Sequence, residues 1–79
     1  MDSEEQAKLV RVYARANEAA NALHTQATEV YEMGKELEEL TKDTTIRYAG
    51  LWVRVEARAM LEQAEELRRV LEELTETTG

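Results

Sequence analysis

The chain has no cysteine, no proline and no phenylalanine, and only three glycines, one histidine and one tryptophan in 79 residues. Each scarcity excludes something. Without cysteine there is no disulfide framework and no thiolate nucleophile or ligand, and the redox compartment leaves no trace. Without proline, nothing breaks a helix from within. With one histidine and no Gly-rich phosphate loop, GxSxG or HExxH, most nucleophile–base pairs are missing. No enzyme activity, cofactor or metal is therefore expected. No stretch is apolar enough to span a bilayer. Basic residues number 10 against 17 acidic, a net charge of −7. That balance argues against nonspecific binding to nucleic acid or an anionic membrane. Asp2, Glu4 and Glu5 are the reverse of the basic start of a secretory leader, so a soluble, cytoplasmic protein is expected.

What is present is small apolar residues at heptad spacing. Ala20, Ala27 and Gly34 repeat in the first half of the chain, and Gly50, Ala57 and Ala64 in the second. Beside them run lanes that are larger at every position but Ala16: Leu9, Ala16, Leu23, Val30 and Leu37, then Ile46, Val53, Met60, Leu67 and Leu74. With the small lanes, extended by Tyr13 and Leu71, as position a and the larger lanes as position d, both halves read as heptad helices. No seam position before Thr75 is charged. The one run poor in helix formers is Thr41-Lys42-Asp43-Thr44-Thr45.

These patterns predict an all-α fold: an antiparallel, coiled-coil-like hairpin forming a single domain over 1–79. Helix 1 is expected over about 3–42, the turn at about 42–45, and helix 2 over about 45–76, with Thr75–Gly79 frayed. Ser3 and Gln6 read as a capping box, and Asp43 or Thr44 as the N-cap of helix 2. In this register an a residue stacks on a d residue: Leu37 on Gly50, Gly34 on Val53, Ala27 on Met60, Ala20 on Leu67. Each layer joins a smaller residue to a larger one and keeps the volume even. The alternative is one continuous rod of about 110 Å, pairing only between molecules.

A second apolar stripe is left over. Tyr48, Leu51, Trp52, Val55 and Ala59 follow helical spacing on the back of helix 2, and Val12, Met33 and Leu40 flank the seam of helix 1. These eight are the candidate interface. One hairpin buries one stripe per helix, so the remainder calls for another molecule. Two hairpins pairing into a dimeric four-helix bundle is the expected use. The alternative is a small adaptor, chaperone subunit or inhibitor docking on a partner protein through Tyr48, Leu51, Trp52 and Val55.

The charges read as solvated, register-setting faces. Arg47, Arg54 and Arg58 are expected beside Glu29, Glu32 and Glu36, and Lys8, Arg11 and Arg15 beside Glu72, Glu73 and Glu76. Glu29-x-x-Glu32 and Glu62-x-x-Glu65 fall on outward lanes, with no His at the spacing a di-metal bundle site needs. A single His on the first helix of a dimeric hairpin resembles, in placement, the phospho-accepting helix of histidine kinases. His24, however, is followed by Thr25 rather than an acidic residue, and no proline follows. Phosphotransfer, or haem or metal binding at His24, is the low alternative. A partly exposed His without chemistry is the favoured reading.

Overall fold

The structure, a computed structural model, describes residues 2–78. Two helices, α1 (Ser3–Leu40) and α2 (Thr44–Thr78), pack against each other as a hairpin. The molecule measures 61 × 16 × 12 Å, about half the length of the single rod. α1 stops two residues before the expected end. α2 continues past 76 to Thr78, and Gly79 lies outside the described residues.

The ends follow from local hydrogen bonding. Asp2, not Ser3, caps α1: its carboxylate accepts the Glu5 amide at 2.7 Å. Ser3 is already helical, so the capping box does not form. A carboxylate satisfies an orphan amide and also faces the positive end of the helix dipole, which a serine hydroxyl does not. α1 ends because Thr41 turns extended (φ −151°, ψ 163°). The Thr41 hydroxyl then accepts the Asp43 amide at 3.1 Å, and Asp43 Oδ1 accepts the amides of Thr45 (2.9 Å) and Ile46 (3.3 Å). This route reverses the chain with no positive φ among the described residues, so the turn manages without glycine. Asp43→Ala should cost about 1 kcal/mol, read as a lower denaturation midpoint with an unchanged m value; an unchanged midpoint removes Asp43 from the cap.

The packing is tighter than stacked small–large layers. Gly34 and Gly50 face each other: a Cβ added at Gly50 would lie 2.7 Å from the Gly34 carbonyl oxygen, and one added at Gly34 would lie 2.8 Å from the Gly50 carbonyl oxygen. Leu37 does lie against Gly50, as the register requires, but the nearest neighbours of Gly34 are Gly50 and Arg54 rather than Val53. The small lanes therefore meet each other. The same heptad steps, run in opposite directions, bring Ala27 level with Ala57 and Ala20 with Ala64. All four alanines are fully buried. With a methyl or a hydrogen at each of these a positions, the backbones close until no large side chain fits between them. Only toward the open end does a large residue enter the seam, where Leu71 is 7% exposed. No large side chain among the described residues is fully buried.

Candidate protein-interaction surfaces

An α-helix turns about 100° per residue, so d lies to one side of a and e to the other. In an antiparallel pair both d lanes then fall on one broad side of the hairpin and both e lanes on the opposite side. The e side carries Asn17, His24, Tyr31 and Glu38 from α1, and Arg54, Leu61 and Arg68 from α2. Its contacts are polar. Arg54 Nη2 donates to Glu38 Oε1 at 3.1 Å, with Nε held against Oε2 outside hydrogen-bond alignment. The same guanidinium lies 5.8 Å from the Tyr31 ring centre. These contacts, led by the hydrogen bond to Glu38, make Arg54 still harder to deprotonate.

The expected charge pairing is corrected here. Arg54 pairs with Glu38, which lies on e beside the seam, whereas Glu29, Glu32 and Glu36 sit on the outward c and f lanes, beyond reach. Lys8 pairs with Glu4, Lys35 with Glu32, and Arg69 with Glu66 and Glu73, all within one helix. The Arg69 hydrogen bond holds the Glu66 carboxyl below its usual range. That contact is present above the ordinary carboxylate pKa and is lost as the pH falls through the lowered one. Among the described residues Arg47 and Arg58 enter no ion pair.

His24 also lies on the e side. Its Nε2 is 3.9 Å from Glu65 Oε1, and its side chain is 34% exposed. Among the described residues no group of three potential metal ligands converges, at His24 or elsewhere. No helix of the described residues is long and apolar enough to cross a membrane.

The d side is different in kind. Leu9, Leu23, Val30 and Leu37 of α1 and Val53 and Met60 of α2 are half-buried, while Ile46, Leu67 and Leu74 are exposed. Every d position from Leu9 to Leu74 is apolar, so the face is a continuous ribbon along both helices. Beside it on α1 run Val12, Met33 and Leu40, 55% to 76% exposed. These three predicted interface residues widen the broad face.

The other five lie elsewhere. Tyr48, Leu51, Trp52, Val55 and Ala59 occupy the outer back of α2, across the hairpin from Val12, Met33 and Leu40. All five are exposed. Tyr48 and Trp52 meet edge to face, with centroids 6.1 Å apart. The eight residues are thus two surfaces. The d ribbon was missed as a surface because a heptad seam reads as buried. The signal was the six Ala and Gly residues of the a lanes: two lanes of small residues leave no space for large neighbours between the helices. Comparison with protein-family models, with curated proteins and with solved structures gives no match.

Proposed function

We propose that this chain is a non-enzymatic, self-associating helical hairpin, and that two copies join their broad d faces in a four-helix bundle. The observation that carries this is the area left uncovered. The chain exposes 6182 Å², against about 4,900 Å² for a compact monomer of its mass. The difference exceeds the roughly 800 Å² per partner of a standard stable interface. Much of the uncovered apolar surface lies along both helices on the d side, and with no charge on either d lane that face can meet a copy of itself across a two-fold axis.

Energetics support the same reading. A lone hairpin whose buried seam is largely Ala and Gly removes little apolar surface from water, and a chain of this size is marginal even with a full core. Covering Leu23, Val30, Val53, Met60 and Leu67 supplies the missing core. Sedimentation equilibrium over a dilution series tests the proposal: a mass of twice the chain, with helix content falling as the dimer dilutes out, is expected. A fully helical monomer at all concentrations overturns it.

A further inference from the structure

We infer that the Tyr48–Leu51–Trp52–Val55 stripe is a docking site for an acidic amphipathic helix of another protein. The stripe is short. Beyond Ala59 the same back of α2 turns to Glu62, Glu66, Arg69 and Glu73, with Glu66 and Glu73 paired to Arg69. What remains is an apolar patch about three turns long, with a tryptophan and a tyrosine in it. Tryptophan and tyrosine are enriched in binding hot spots because they bury large areas with few rotors to freeze.

The edge of the patch sets the chemistry of the occupant. Arg47, Arg54 and Arg58 line one side of it, in a chain of net charge −7. Arg54 is committed to Glu38, but Arg47 and Arg58 are free of ion pairs. Two hollows alternate with these guanidinium groups. One, of about 190 Å³, lies between Leu51, Arg54, Val55 and Arg58. The other, of about 280 Å³, has Lys42 and Arg47 over Tyr48 and Leu51, with Glu38, already paired to Arg54, on its inner wall. Each offers an apolar floor, and with Glu38 and Arg54 paired to each other the charges left over at the rims are basic, which suits a Leu-type side chain with a Glu or Asp one turn away.

The same rim disfavours a second copy. A two-fold axis near Arg54–Val55 would lay the arginine edge of one molecule on the arginine edge of the other, with Arg54 facing its own counterpart. Like charges so placed weaken an interface. A helix carrying the opposite charge meets the patch without that conflict.

The test uses the whole chain and two synthetic helical peptides with the same leucine stripe, one flanked by Glu and one by Lys. Trp52 is the only tryptophan, so its emission reports the site directly. The Glu peptide should shift the emission to the blue and bind about tenfold more tightly than the Lys peptide at low salt. Arg47→Glu with Arg58→Glu should reverse that preference. Both side chains are unpaired, so circular dichroism should show this variant folded, and if it is not, charge-neutral Arg47→Gln with Arg58→Gln should still abolish the preference. Equal binding of the two peptides, or none, overturns the inference. So does a peptide-free protein whose Trp52 is already shielded and whose mass halves on Leu51→Glu with Val55→Glu, because a second copy then occupies the stripe. Self-association through the broad face is judged separately, by the mass of the unaltered chain.

Discussion

If two copies join as proposed, Leu23→Glu combined with Leu67→Glu should turn a folded dimer into a monomeric, largely unfolded chain. Both residues sit on d, near mid-length, on the broad face. In the proposed bundle, four carboxylates per dimer would be withdrawn from water with no basic residue on d to meet them. An unpaired buried charge costs several kcal/mol, so four exceed what an association of this size returns. The hairpin left behind has no fully buried large side chain among the described residues, and its helices have little to hold them. Sedimentation velocity and ellipticity at 222 nm together decide the outcome. A variant that stays dimeric and helical would show that the broad face is not the interface. The matching change on the back of α2, Leu51→Glu with Val55→Glu, should keep both dimer and helix, which separates the two surfaces in one pair of experiments.

Gly50→Leu should lower stability by about 3 kcal/mol, the upper end for overpacking, and Tm by about 15 °C for a domain of this size. Leucine is the better helix former by most of 1 kcal/mol, so propensity alone predicts the opposite sign. Geometry decides. The first added carbon would already lie 2.7 Å from the Gly34 carbonyl oxygen and 3.0 Å from Leu37 Cβ. The nearest obstacle is backbone, and a carbonyl inside a helix does not rotate aside. The helices must separate near the turn, and the contacts of the neighbouring alanine layers loosen with them. A calorimetric Tm equal to or above that of the unaltered chain would mean that the helices part at no cost.

The hairpin and the place of its turn were legible because the heptad period and the helix-poor run at Thr41–Thr45 report on local geometry, whereas the expected stacking of a on d gave way to small lanes that meet each other. Asp43 as a cap followed from the same logic. The exchange of Ser3 for Asp2 was not legible, since both are good caps and the choice rests on one residue of frame. The division of the candidate interface was harder still. A heptad wheel places d beside a but does not say how far apart two helices stand, and that distance decides whether d residues interdigitate or splay to one side. Gly34 facing Gly50 settles it. The pairing of Arg54 with Glu38, rather than with Glu29, Glu32 or Glu36, depends on the same close approach, which brings the two e lanes together and leaves the c and f lanes outside.

The glycine and alanine seam has a consequence for how this protein responds to mutation. In most cores the vulnerable change is removal: a side chain is cut back and a void opens. Here the central positions hold almost nothing that can be cut back: an alanine scan finds four of them already alanine, and at Gly34 and Gly50 it adds a group instead of removing one. The sensitivity runs in the other direction: single added methyl or methylene groups, the gentlest substitutions in an ordinary core, are the severe ones along this line, and its narrowest positions admit no growth.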